Sequence, residues 1–297
     1  MKYIITGAAG NISGLLARRL VAAGHHVTVI GRNEDHLQEL VHAGIHTAIG
    51  SLEDLPFLKQ AFSDADAVYT MVPPNPISND QIGFHERLGV NYAEAIKHSR
   101  IQYVVNLSSI GAHLPKGAGL PSGLFRVERI LNSLPIAVKH LRAGYLYQNL
   151  FANIGLINNL GIMGSNFSVD ANSLPIVSSA DIAAAATEEL LALDFAGHSV
   201  RYVVSDETGT DQIASTIGKA IGKEDLKWTP LDDKQVLYGL LQFGLSRDAA
   251  QHIVEIGCAI NKGILMEDYY QNRPASLGVI RLSDFAQVFA QAYQSAQ

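Results

Sequence analysis

Residues 2–32 read KYIITGAAGNISGLLARRLVAAGHHVTVIGR, and this stretch decides the fold. Tyr3, Ile4 and Ile5 form a short β-branched and aromatic run that suits a strand buried on both faces of a parallel sheet. Thr6, Gly7, Ala8, Ala9 and Gly10 then turn the chain. Ile12, Leu15, Leu16 and Leu20 recur at helical spacing, with Arg18 and Arg19 on the other face, which predicts a helix from near Asn11 to Gly24. Val27, Thr28, Val29 and Ile30 supply the next strand. In such a βαβ unit the helix N-terminus offers unpaired N–H groups and a partial positive charge, and small residues let a diphosphate approach the backbone. The unit therefore predicts a dinucleotide seat at Gly7, Ala9, Gly10, Asn11 and Ile12. Ser13 departs from the glycine usual at the third small position, with Gly14 directly after it; a purely structural turn is the alternative.

The tip of the second strand carries Gly31, Arg32 and Asn33. A carboxylate there would accept the ribose 2′-hydroxyl of NAD, whereas a guanidinium would accept the 2′-phosphate of NADP. Arg32 therefore favours NADP(H), while Glu34 and Asp35 follow closely enough to leave NAD(H) open as the less favoured cofactor.

Outward from this unit, strands and helices alternate. Glu34–Ala43 reads as a helix with Leu37, Leu40 and Val41 inward, and His46–Ile49 as the third strand. Ser51 and Leu52 follow it, placed to border the adenine ring; Ser51 can equally serve as an N-cap before Glu53 and Asp54. After a short helix at Phe57–Phe62, residues 65–72 form a fourth strand that runs into Val72, Pro73, Pro74 and Pro76, a rigid exit able to edge a cofactor cleft. A helix over Asn79–His98 leads to a fifth strand at Tyr103–Leu107, and Ser108 and Ser109 beyond it are candidates to hydrogen-bond substrate or nicotinamide. Gly111–Gly123 reads as a flexible loop, Leu124–Ser133 as a helix and Ile136–Leu141 as the sixth strand. This alternation predicts an α/β fold, a doubly wound parallel sheet of the Rossmann type with right-handed crossovers.

Beyond Tyr145 the composition changes to aromatic and amide residues, then to a Gly- and Asn-rich connection through Ser165, which reads as a pocket wall. Leu174–Val177 and Val200–Val204 are expected as strands rejoining the main sheet around a helix at Asp181–Leu193. Helices at Asp211–Ile221, Asp233–Phe243, Arg247–Asn261 and Ser283–Tyr293 make a small, mostly helical C-terminal lobe. The domain reading is a core of residues 1–152 rejoined by 174–205, with 153–173 and 206–297 as the substrate lobe.

With 47% hydrophobic and 17% charged residues and a net charge of −6, the 297-residue chain has a substantial core and no electrostatic case for nucleic acid. The first strand begins at residue 2, so no charged-then-apolar leader precedes it, and no apolar run approaches the roughly 18 residues of a membrane span; a cytoplasmic location without membrane contact is expected. The single cysteine, Cys258, is expected as a buried core thiol. The histidines lack ligand spacing, and no metal is expected.

TGAAGNIS (6–13), GRN (31–33), ADAVYTMVPP (65–74), VNLSSIGA (105–112), a helix carrying Glu128 and Leu131, and LRAGYLYQN (141–149) together resemble the atypical short-chain dehydrogenase/reductases with NmrA-like domains. Asp181 and Ile182 also match that pattern, and the resemblance covers essentially the whole chain. It implies an NAD(P)(H)-binding Rossmann core and a small C-terminal substrate lobe, in a group that holds quinone, azo-dye, triphenylmethane and isoflavone-type reductases as well as catalytically silent nucleotide-sensing regulators. The Tyr-xxx-Lys pair of the wider superfamily is missing: its positions fall near Leu120 and Leu124, and no Tyr, Lys or His lies between Gly117 and Val127. Leucine cannot donate a proton, so carbonyl reduction by that machinery is not expected. Two functions stay open. In one, NADPH reduces a small quinone-like or conjugated acceptor by hydride transfer, with His113, Tyr145 and Tyr147 as candidate proton donors. In the other, the protein senses NADP(H) without turnover and signals to a protein partner.

Overall fold

The computed structural model describes residues 1–7, 10–171 and 173–296. Tyr3 and Ile5 point to one face of the first strand, β1 (Lys2–Thr6), and Ile4 to the other, and all are buried. A strand covered on both faces needs helices on both sides. The chain supplies them in turn: α1 (Ser13–Ala22), β2 (His26–Gly31), α2 (Gln38–His42), β3 (His46–Ile49), α3 (Leu55–Phe62), β4 (Ala67–Thr70), α4 (Gln81–Lys97), β5 (Tyr103–Ser109), α5 (Leu120–Leu131), β6 (Ala137–Ala143) and β7 (Tyr145–Leu146). There follow α6 (Ile154–Leu160), β8 (Met163–Ser165), β9 (Leu174–Val177), α7 (Ser179–Ala192), β10 (His198–Val203), β11 (Asp206–Thr208), α8 (Thr210–Ala220), β12 (Trp228–Pro230), α9 (Asp233–Gln242), α10 (Arg247–Asn261), α11 (Glu267–Gln271) and α12 (Leu282–Ser295).

Seven parallel strands run in the order β10-β6-β5-β4-β1-β2-β3. The strand order reverses between β1 and β4, and a doubly wound sheet opens its ligand crevice at such a point. On one face Tyr3, Ile5, Leu16, Leu20 and Val29 pack with Ile182, Ala186 and Leu190 of α7. On the other, Ile4, Leu58, Phe62, Leu88, Tyr92, Val127 and Leu131 pack from α3, α4 and α5. A third cluster, centred on Tyr147, Trp228, Tyr269, Phe285 and Phe289, is the core of the C-terminal lobe. Among the described residues no helix is long and apolar enough to cross a membrane.

Several expectations are corrected. Leu15 and Val41, expected inward, are 40% and 51% exposed: the helical turn puts Leu15 between Arg18 and Arg19, opposite buried Leu16, Ala17 and Leu20, and Val41 at the edge of the stripe made by Leu37 and Leu40. Leu174–Val177 does not rejoin the main sheet: β9 pairs with β7 and β11 in a separate small sheet, and only β10 extends the large one. The break follows Gly144, where a Cβ would stand 2.7 Å from the Pro175 carbonyl, so the chain crosses close to β9 there. The supposed flexible loop ends early, since α5 begins at Leu120 with Pro121 in its first turn, where a missing N–H costs nothing. Gly119 is packed against α10, with the His252 carbonyl 2.1 Å from where a Cβ would stand. Cys258 is half-buried, and its thiol lies against Asp233.

Asp181 shows why an acidic residue is wanted at the start of α7. Buried, it accepts hydrogen bonds from Ser205 Oγ (2.5 Å), Val279 N (3.2 Å) and Ile280 N (3.1 Å), so it ties the lobe's final connection to the edge of the core.

Candidate functional site

The turn after β1 is built from short contacts. Thr6 Oγ1 accepts from the Met71 amide at 2.9 Å, which locks the ends of β1 and β4 together at the point where the strand order reverses. Ser13, buried, donates from Oγ to the Thr6 carbonyl at 2.8 Å. A serine therefore replaces the third glycine by bridging helix to strand, small enough to keep them close. Gly7 has φ +74°, and a Cβ there would stand 2.5 Å from Met71 Sδ. The Gly10 amide donates to the Gly7 carbonyl at 3.0 Å and Gly14 to Gly10 at 3.1 Å. Among the described residues no side chain caps the start of α1. A bare helix N-terminus beside a glycine with no room for a side chain fits the diphosphate of a dinucleotide. Asn11 is exposed, Ile12 is half-buried, and Ala9 lies outside the described residues.

Arg32 is exposed at the tip of β2 and makes no ion pair among the described residues, while Asn33 Oδ1 accepts from the Asp35 amide at 2.9 Å and holds the turn beneath it. Ser51 is not the N-cap of α3: Asp54 holds that place, accepting from Phe57 N at 3.2 Å, and Ser51 Oγ accepts from Glu53 N. Leu52 is buried, and its carbonyl accepts from Asn91 Nδ2 at 3.1 Å.

A cleft of about 360 Å³ opens at the carboxyl ends of β4, β5 and β6. Ile12 of the first turn reaches it, joined by Val72–Pro76, Ser108–Ile110, Leu120 and Leu124, and Tyr145 and Leu146. Leu245, Ala249, Ile253, Ile256, Leu265 and Met266 of the C-terminal lobe form the opposite wall. The surface is predominantly aliphatic, as suits a flat apolar ligand. A larger depression, of about 840 Å³, lies on the outer side of β6 and β10. There Arg201 pairs with Glu188 at 2.7 Å and Glu189 at 3.0 Å, and Arg142 with Asp268 at 2.8 Å. Its charges are matched within the protein, and it does not touch the first turn; the smaller cleft is the candidate site.

The structure separates the expected catalytic candidates. Tyr145 lines the cleft, and burial pushes its hydroxyl up to about 12, with a hydrogen bond from Asn149 opposing. Tyr147 does not reach the cleft: it is 0% exposed, stacked on Phe285 at 5.0 Å in the lobe core, with its hydroxyl donating to the Ile280 carbonyl. His113 is half-buried outside the cleft lining, and burial lowers its pKa while the Asp268 carboxylate opposes. Ser108 lines the cleft but spends its hydroxyl on Glu128, at 2.5 Å, and Ser109 donates to the Ile110 carbonyl at 2.9 Å. Glu128 in turn receives Arg142 through Nε (3.0 Å) and Nη2 (2.7 Å), both side chains largely buried. Arg142 reaches Asp268 of α11, which also accepts from Tyr202 Oη, so the network clamps the lobe to the sheet.

The sequence reading missed the wall from the C-terminal lobe and, among polar cleft residues, Gln81 and His85. His85 of α4 lines the cleft beside Gln81, and only the i, i+4 spacing of Gln81 and His85 on a helix hinted that they act together.

Comparison with known proteins agrees with this architecture. An NADPH-dependent quinone oxidoreductase from Escherichia coli, solved with NADPH, superposes with a TM-score of 0.80 at 19% identity, covering 96% of this chain and 99% of that one. A triphenylmethane reductase from Citrobacter sp. gives 0.79 at 18% identity, covering 98% and 100%. NmrA, a negative transcriptional regulator solved with NAD, gives 0.73 at 14% identity, covering 99% and 97%. At these identities the likeness establishes the fold. The chain spans about a quarter of the length of the curated relatives it matches, 23% and 28%. Residues 2–256 match the NmrA-like family, and the chain belongs to that family.

Proposed function

We propose that this protein binds NADP(H) along the carboxyl edge of the sheet and reduces a small quinone-like or conjugated acceptor by hydride transfer. The observation that carries the reading is the aliphatic cleft running from Ile12 of the first turn to the lobe wall, which would set an apolar ring beside the nicotinamide end of a dinucleotide seated on that turn. Gly7, Gly10, Asn11 and Ile12 would hold the diphosphate, Arg32 the 2′-phosphate, Ser51 and Leu52 the adenine side, and Val72, Pro73, Ser108 and Ser109 the nicotinamide side. When bound, NADPH supplies the hydride. The chain's own contribution is to orient the acceptor and exclude water with the aliphatic walls. The quinone oxidoreductase and the triphenylmethane reductase support this reading as relatives in fold.

A second reading, NADP(H) sensing without turnover through a protein partner, is favoured by the commitment of Ser108 and Ser109 to internal partners and by the weak acidity of Tyr145. Loss of NADPH absorbance against a panel of quinones and cationic dyes separates the two. Turnover of any acceptor supports the reductase, whereas calorimetric NADP(H) binding with no turnover across the panel supports the sensor.

A further inference from the structure

We propose that His85 is the catalytic proton donor of the cleft, delivering a proton from Nε2 to the oxygen of a quinone-type acceptor. The inference rests on the reductase reading above and adds the residue that completes its chemistry.

His85 is 8% exposed and packs against α5, where a Cβ at Gly123 would stand 2.8 Å from the ring's Cγ. Glycine at 123 thus makes the space the imidazole fills. Nδ1 lies 2.7 Å from the Gln81 carbonyl, an acceptor that admits only a proton on Nδ1, so Nδ1–H donates. Gln81 is itself fixed: its amide donates to Asp248 Oδ2 at 2.7 Å, and its Nε2 donates to the Asn75 carbonyl at 2.6 Å. The ring orientation is therefore set through a held partner, and His85 Nε2 is left without a hydrogen bond among the described residues in a side chain that lines the cleft.

Of the described residues lining the cleft, only His85 and Tyr145 titrate between the acidic and strongly basic ranges. Burial holds Tyr145 at about 12, a reluctant acid. Burial lowers the pKa of His85, with the Gln81 bond opposing and His252 of α10 adding to the fall, so its cation releases a proton more readily than an ordinary imidazolium. As the hydride and its electron pair reduce the acceptor, the carbonyl oxygen gains negative charge. With the hydride's hydrogen taken up as one O–H of the product, the second O–H bond forms at the oxygen left with the charge as Nε2–H breaks, giving the hydroquinone, and water returns the proton to the imidazole. After transfer, neutral Nε2 accepts a hydrogen bond from the product hydroxyl.

A triphenylmethane cation offers a built-in contrast, because its central carbon takes up a hydride and needs no proton. In wild-type protein, D2O slows reduction of a naphthoquinone more than reduction of such a cation. His85→Gln lowers the quinone-to-dye ratio of kcat by about a hundredfold, the lower range of a lost general acid. Without any nicotinamide present, adding naphthohydroquinone shifts the His85 Nε2 signal in nitrogen NMR, while its dimethyl ether does not. These last and first measurements need no variant and hold if His85→Gln fails to fold. Wild-type turnover of both acceptors with an unchanged ratio in His85→Gln, equal D2O effects, or an Nε2 signal indifferent to the hydroquinone overturns the assignment of His85 alone. Wild-type protein inert to both acceptors overturns the reductase reading itself, and the role of His85 with it.

Discussion

His140 ties the stability of the sheet to pH. It is 1% exposed on β6, in a buried chain of hydrogen bonds that crosses three strands. Thr70 Oγ1 donates to Asn106 Oδ1 at 2.9 Å; Asn106 Nδ2 donates to His140 Nδ1 at 3.1 Å; and His140 Nε2–H donates to Asn132 Oδ1 at 2.9 Å. A proton added at Nδ1 would face an amide N–H with nowhere to turn. Burial accordingly pushes the ring from 6.5 down to about 4, against the pull of the Glu128 carboxylate and with the push of Arg142. Because the folded value lies below the unfolded one, the unfolded chain binds a proton that the folded chain refuses between pH 6.5 and 4. Stability is therefore complete above pH 6.5 and falls as the pH falls through that window. A difference of about 2.5 units corresponds to about 3 kcal/mol in full, of which about 2 kcal/mol is gone by pH 5. Urea unfolding at pH 7 and pH 5, for wild type and His140→Gln, isolates this share, since the other titrating groups cancel in the difference. The variant is less stable at pH 7 but loses about 2 kcal/mol less than wild type on going to pH 5. Equal losses in the two proteins would refute the linkage.

Three further outcomes are expected. Arg32→Ala weakens NADP(H) binding by about 1.5–3 kcal/mol through loss of a charge-assisted bond to the 2′-phosphate and leaves NAD(H) unchanged, as read by calorimetry; equal affinity for NADP(H) in both proteins removes that assignment. Glu128→Leu takes the bidentate partner from the largely buried Arg142, leaving Asp268 as its carboxylate, and costs about 1.5–3 kcal/mol in urea unfolding; adding Asp268→Asn, which leaves the guanidinium without either carboxylate, raises the cost to about 3–5 kcal/mol, and the comparison of the single and double variants checks it. Gly7→Ala places a methyl against Met71 Sδ at a positive φ, destabilising the fold by about 1–2 kcal/mol and weakening dinucleotide binding; adding Met71→Ala relieves the clash but not the backbone strain, so only part of the stability returns.

The reach of the sequence can be judged from these same residues. The strand at Tyr3–Ile5, the glycine turn, the amphipathic α1 and the strand at Val27–Ile30 were legible because period and turn chemistry are local properties, and the regular return of strand and helix then implied a doubly wound parallel sheet. The first turn could be read for the same reason. Which partner a polar side chain takes was not legible. Ser108 looks free along the chain, yet Glu128 comes to it from α5. Tyr145 and Tyr147 differ by two positions, but one lines the cleft and the other stacks on Phe285. Leu174–Val177 has the composition of a core strand and pairs elsewhere because the chain crosses close to it at Gly144. His85 carries no local motif; it becomes a cleft residue only when Gly123 of another helix leaves room for its ring and Gln81 fixes its tautomer. Periodicity records which way a side chain faces relative to its own element. Only packing between elements decides what meets it there, because a hydrogen bond or a cleft wall is made by residues that the sequence keeps apart.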